Sequence, residues 1–286
     1  MKINGYDINY DEAELKDKME NQTLDIRLIS PDFEGYKNLS EGNKKALTHL
    51  VAAARMVNDV ALEQDHPMNL PQKKALAEAA AAGSSHAALA LELFNSLNGV
   101  AGYNGVDKEP VEVFAGIRLL PGHNFYPADL SPEEFRQILI AMLKAGKSEE
   151  VRKILSARTM VRRAGGELKA IDYTEYFAAA FSAIANELEV AAHYADDEAF
   201  KDYLGWQAQA LLQNNPDMDM LADRHWAVLQ DTPLEFTLSR ENYDDEITPA
   251  VYDNGELKAL LAENGIEAVG KDTLGARVGI VNKAGT

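Results

Sequence analysis

The chain contains no cysteine. Disulfides and thiolate zinc sites are therefore excluded, although a cysteine-free sequence suits reducing and oxidising compartments alike. No apolar run is long enough to cross a bilayer. The opening residues, Met1-Lys2-Ile3-Asn4-Gly5-Tyr6-Asp7, are polar and acidic and do not read as a signal peptide, so the expectation is a cytoplasmic protein. Several motifs are also missing: no HExxH or longer HExxxH, no G-x-x-x-x-G-K-[ST] phosphate loop, and no G-x-S-x-G nucleophile turn. Positive charge is scarce, with 28 basic against 46 acidic residues and a net charge of −18. Such a surface repels phosphate backbones and anionic lipid, so neither nucleic acid nor a membrane is expected as a partner. Basic peptides would be attracted, but solubility is the plainer reading of the charge.

What is present is a sizeable apolar fraction, 46% of 286 residues, enough to bury a core. The first half reads as helical. After Ser40, residues Leu47, Leu50, Val51, Ala54, Val57, Val60 and Ala61 recur at intervals of three and four and form one helix face. Pro67 and Pro71 punctuate that run. An alanine-rich run from Gln72 to Leu97 follows, with a break at Gly83-Ser84-Ser85, and Gly99 to Gly105 reads as a loop. Asn124-Phe125-Tyr126-Pro127 is either a surface anchor or a packed lead-in to a helix, the second being preferred. Ser131, Pro132 and Glu134 form a capping box opening a helix to about Lys144 and Gly146. Ser148 to Ala157 adds another helical stretch.

The pattern then changes. Thr159–Arg163, Ala164-Gly165-Gly166 and Glu167–Ile171 read as a β-hairpin. Asp172 and Glu175 cap a helix expected to run unbroken to Tyr194. Asp196-Asp197-Glu198 restarts a helix that Pro216 stops, and a short helix follows from Met218 to Leu229. Leu234–Arg240 alternates as a strand, Asn254 starts a helix ending at Asn264-Gly265, and Val278–Val281 is the last strand. The expected class is α+β, with a mainly helical region over 1–157 and a mixed region over 158–286 that carries the candidate cleft strand, together one continuous lobe.

The chemistry-bearing residues are weighed against plainer roles. The six histidines lack a partner three, four or five residues away, the spacing that puts two imidazoles on one helix face. No metal site is expected within the chain, and surface or capping roles are preferred for them. Asp244-Asp245-Glu246 and Asp196-Asp197-Glu198 could hold a cation, but acidic runs are more often solvated faces or helix starts. Ser84-Ser85-His86 places serine beside histidine, yet sequence neighbours rarely meet as nucleophile and base. Glu241 and Tyr243 follow the alternating strand and share one side of it if the strand continues. A carboxylate beside a phenol suits a peptide's free amino terminus: the carboxylate pairs with the ammonium and the phenol donates to a carbonyl or its oxyanion. A strand-edge glutamate with a half-buried tyrosine is the default.

Taken in order, Asn124–Pro127 with its capped helix, the hairpin with its amphipathic helix, Glu241-Asn242-Tyr243-Asp244-Asp245, and Gly275 to Val281-Asn282-Lys283 resemble the dipeptidyl-peptidase III family of zinc peptidases. The likeness covers the second half and extends over most of the chain. It implies the non-zinc lobe of a two-lobed peptidase that removes dipeptides from peptide amino termini. It further implies that Glu241 grips the substrate ammonium and that Tyr243 reaches the scissile carbonyl. Zinc and the catalytic residues belong to the family's HExxGH-like motif and a later glutamate, neither of which this sequence contains. The chain is thus expected to be an inactive amino-terminal fragment that holds no cofactor itself and lacks a carboxy-terminal zinc lobe as partner. Its ligands would be short peptides with a free amino terminus. The link from Asp245 to Gly275 is long for the family. A stand-alone, non-catalytic peptide-binding or structural helical protein is the alternative.

Overall fold

The computed structural model describes residues 1–22, 32–105, 108–242 and 245–281. In chain order the elements are β1 (Lys2–Ile3), β2 (Tyr6–Asp7), α1 (Glu12–Gln22), α2 (Glu34–Lys37), α3 (Glu41–Asp65), α4 (Asn69–Ala81), α5 (Ser85–Leu97), β3 (Ala101–Tyr103) and β4 (Pro110–Glu112). They continue with α6 (Pro132–Lys144), α7 (Ser148–Ile154), β5 (Thr159–Ala164), β6 (Glu167–Asp172), α8 (Tyr173–Tyr176), α9 (Ala178–Tyr194), α10 (Glu198–Gln213) and α11 (Pro216–Ala227). The last are β7 (Leu234–Asn242), a 3-10 turn (Pro249–Asp253), α12 (Gly255–Glu263) and β8 (Asp272–Ile280). Among the described residues the strands pair as antiparallel twos, β1 with β2, β3 with β4, β5 with β6 and β7 with β8. The architecture is the expected α+β, mainly helical with small sheets.

Two compact units are present. One comprises the described residues within 1–28, 62–132 and 245–247. Its core joins Leu15 of α1, Leu76 of α4, Leu93 and Phe94 of α5 and Val111, Val113 and Phe114 near β4. Each large side chain taken fully out of water contributes about 1.5–3 kcal/mol. Asn69, fully buried, knits this unit together. Its amide donates to the Leu62 carbonyl at 2.9 Å and to Asp65 at 3.1 Å, and its oxygen accepts from the Val100 amide at 2.8 Å. Ser84 accepts from the Ala87 amide at 3.2 Å and opens α5 where the glycine-serine break is predicted. The predicted loop at 99–105 instead contains β3, paired with β4. Three-residue strands carry too little alternation to be read from sequence.

The other unit comprises the described residues within 29–61, 133–244 and 248–286. Its core includes Phe181, Ile184 and Leu188 of α9, Phe200, Tyr203, Leu204 and Leu211 of α10, and Phe236 of β7. Asp197 caps α10 through the Phe200 amide at 2.8 Å, and Asn254 caps α12 through the Leu257 amide at 3.0 Å. The helix predicted from Asp172 to Tyr194 is interrupted at Phe177, whose φ of −103° and ψ of 22° leave the helical range. Phe177 is in ring contact with Tyr173, Tyr176 and Phe181, so packing of four aromatic rings overrides the local helix pattern. Pro216 does not end α10. Asn214 does so in a left-handed conformation (φ 49°), and Pro216 occupies the first turn of α11 beneath an Asn215 cap. Strand β8 begins six residues before the predicted Val278. Its early part contains Gly275, which is obscure as a strand signal; a Cβ there would lie 2.8 Å from Ser239 Oγ across the pair, so the serine hydroxyl would have to turn away.

Candidate functional site

Strand β7 sets the site. Its side chains alternate, so Leu234, Phe236 and Arg240 turn toward the core while Glu235 and Glu241 are exposed. Opposite them β8 places Thr273 against Glu241, Leu274 against Arg240 and Arg277 against Thr237. Helices α10 and α11 cover the inward face. Tyr203 of α10 donates to the Phe236 carbonyl at 2.6 Å and accepts from Gln207 at 3.1 Å, which ties the strand to the helix. Burial pushes the Tyr203 phenol well above its ordinary pKa, so it stays a neutral donor.

A cavity of about 770 Å³ opens here, with Arg158, Tyr203, Asp219, Arg240, Glu241 and Asp272 on its wall. Four of these form a charge-balanced cluster. Arg158 donates through Nε to Asp272 at 3.0 Å and through Nη2 to Asp219. Arg240 donates through Nε to Asp219 at 3.4 Å and through Nη2 to the Ala210 carbonyl. Burial lowers the Arg240 pKa, opposed by Asp219, which favours the charged form. The Nη1 atoms of both arginines have no partner among the described residues, nor does the Asn214 side-chain oxygen. Asp223, also on the cavity wall, has its pKa raised by burial and then by Asp219.

Glu241 therefore lies on a cavity wall at the exposed end of β7. Tyr243 and Asp244 lie outside the described residues, as do Asn282 and Lys283. Sequence reasoning did not reach the Arg158–Asp219–Arg240–Asp272 cluster. One signal was available: Arg240 is a charged residue at an inward register position of an alternating strand, and such a residue needs buried partners.

The other predicted candidates resolve into structural roles. Ser85 Oγ donates to Glu12 at 2.6 Å and the His86 ring meets the Tyr10 carbonyl at 2.8 Å, so this serine and histidine engage separate partners. Asp197 is a helix cap, and Asp245 accepts from the Ile247 amide at 2.7 Å. Phe125 and Tyr126 are 3% and 1% exposed, which makes their segment a packed lead-in. His49 pairs with Glu187 at 2.7 Å and His123 with Asp65 at 2.9 Å. Among the described residues no three His, Cys, Asp or Glu side chains group to hold a metal ion, and no helix is long and apolar enough to cross a membrane.

No protein-family model matches this sequence, and no curated protein sequence does. Solved structures do match. A structure of DPP III from Caldithrix abyssi has a TM-score of 0.66 and 24% identity over 94% of this chain and 44% of that one. A structure of dipeptidyl-peptidase III from Corallococcus sp. strain EGB has a TM-score of 0.66 and 20% identity over 95% of this chain and 44% of that one. The fold is thus dipeptidyl-peptidase III-like, and the chain spans less than half the length of the structures it matches.

Proposed function

We propose that this chain is the substrate-gripping, non-zinc lobe of a dipeptidyl-peptidase III-like metallopeptidase, which releases dipeptides from peptide amino termini. The supporting observation is the position of Glu241, on the wall of a 770 Å³ cavity within a fold of that kind. In this reading Glu241 pairs with the substrate's α-ammonium, and Tyr243 donates to the scissile carbonyl. The zinc ion belongs to a further lobe bearing an HExxGH-like motif, where it would polarise the carbonyl and lower the pKa of a bound water. This chain's described residues do not supply a ligand set for it. Its own task is to bind and orient the peptide, in the cytoplasm and with no nucleic acid as partner.

The test is a calorimetric titration of residues 1–286 with a peptide carrying a free or an acetylated amino terminus. Acetylation, or Glu241→Gln against the free peptide, is expected to weaken binding about tenfold, as for a charge-assisted pair. Equal affinities for both peptides would overturn the reading. Chelator-sensitive dipeptide release by this chain alone would overturn the assignment of zinc to another lobe.

A further inference from the structure

Glu235 and Trp226 do not take part in the proposed amino-terminal anchor, yet they border the same cavity. With Ala227 they also line a second cavity of about 240 Å³, whose floor includes Phe200, Leu234 and Phe236. The two cavities therefore share a wall formed by the end of α11 and Glu235 of β7. Trp226 is 45% exposed, unusual for the largest apolar ring. Its neighbour His225 stacks on Trp206 of α10 with ring centroids 5.3 Å apart, which fixes the last turn of α11 that carries Trp226. Glu235 is exposed and forms no ion pair or hydrogen bond among the described residues.

An indole face beside an unpaired carboxylate is the chemistry that holds a lysine or arginine side chain: the ring attracts the cation and packs on its methylenes, and the carboxylate neutralises it. We propose that Trp226 and Glu235 form a subsite for a basic side chain of an extended peptide lying along β7. Its position follows from the strand. Glu235 and Glu241 are six residues apart on the same face, roughly 20 Å at a strand's rise per residue. A peptide anchored by its ammonium at Glu241 thus brings its sixth or seventh residue to the subsite. Arg277, opposite Thr237 on the same face, disfavours a cation in the intervening positions. The register rests on the amino-terminal reading of Glu241, whereas the preference for a basic side chain does not.

The experiment uses residues 1–286 and two synthetic octapeptides with lysine or norleucine at both the sixth and seventh positions, so that strand alternation turns one of the two toward the sheet. Each is prepared with a free and an acetylated amino terminus. The lysine peptide is expected to bind about tenfold more tightly, combining a cation–π contact with a partly exposed ion pair. Glu235→Gln and Trp226→Ala should each remove most of that difference, and Glu235→Gln should leave the norleucine peptide's affinity unchanged. Equal affinities, or a lysine preference that survives both substitutions, would overturn the subsite. If acetylation weakens both peptides while lysine gives no advantage, the subsite fails and the Glu241 reading stands. If lysine is preferred even when acetylation and Glu241→Gln change nothing, the subsite stands and the amino-terminal reading fails. Absence of binding by every peptide would overturn both.

Discussion

Asp219 accepts from Arg240 Nε at 3.4 Å while the Arg240 side chain is only 6% exposed, so a carboxylate on α11 secures a cation buried beneath β7. The same carboxylate also accepts from Arg158. Neutralising it removes a carboxylate that accepts from both guanidiniums and leaves Asp272 on Arg158. Asp219→Asn is expected to cost about 3 kcal/mol, the low end for breaking a buried pair because Asp219 is 26% exposed. Urea unfolding of the variant and the parent checks this. A loss below about 0.5 kcal/mol, as for a surface pair, would show that the cluster is solvated.

Lys271 is 1% exposed and donates to the Ile154 carbonyl at 2.8 Å, the Ser156 carbonyl at 2.7 Å and Thr159 Oγ1 at 2.9 Å. Its ammonium satisfies carbonyls at the C-terminal end of α7, where a cation is favoured. Lys271→Met keeps the stem's volume but takes the ammonium from two carbonyls, each costing about 1–3 kcal/mol if left buried and unpaired, while Thr159 keeps its bond to the Lys153 carbonyl. A large drop in the urea midpoint with an unchanged m-value is expected. Unchanged stability would mean that water reaches these carbonyls.

Legibility in the sequence followed the range of the interactions. The break at Gly83-Ser84-Ser85, the helix starts at Asp197 and Asn254, the hairpin turn at Gly165-Gly166 and the alternation of β7 each depend on a few consecutive residues, and each forms where the sequence places it. The interruption at Phe177 and the start of β8 at Asp272 depend on neighbours far along the chain. So does the cluster on the cavity wall: Arg158 and Asp219 are separated by 61 residues and Arg158 and Asp272 by 114. Glu241 was singled out because it follows a readable strand. Its charged surroundings were not, because no local spacing encodes a contact between a hairpin, a helix and two strands.

Gly122 is held against buried side chains. A Cβ there would lie 2.8 Å from Tyr126 Cδ2 and 2.9 Å from Ile247 Cγ1, and those residues are 1% and 0% exposed. Neither neighbour is a free chain end that can swing aside. Gly122→Ala should therefore destabilise by about 1–3 kcal/mol, the cost of overpacking a filled core. In the double variant Gly122→Ala with Ile247→Ala, which removes Cγ1, the cost beyond that of Ile247→Ala alone should shrink. A thermal shift within error of the parent would contradict the close approach.

His66 is the group whose titration bears on stability. It is 7% exposed, and its Nδ1 accepts from the Met68 amide at 3.1 Å. Burial lowers its pKa in the folded chain; Asp65 opposes this and His123 reinforces it. An unfolded histidine titrates near 6.5. Between the two values the unfolded chain binds the extra proton, so stability rises with pH across that window. The contribution is fully present above about pH 6.5 and is lost as pH falls through the depressed folded value, where protonation also removes the acceptor for Met68. His66→Asn keeps an acceptor oxygen but cannot titrate. Unfolding free energies at pH 7.5 and 5.5 should fall further for the parent than for the variant. Equal falls would show that His66 is charged and solvated in the folded chain, and a larger fall in the variant would reverse the sign argued from its burial.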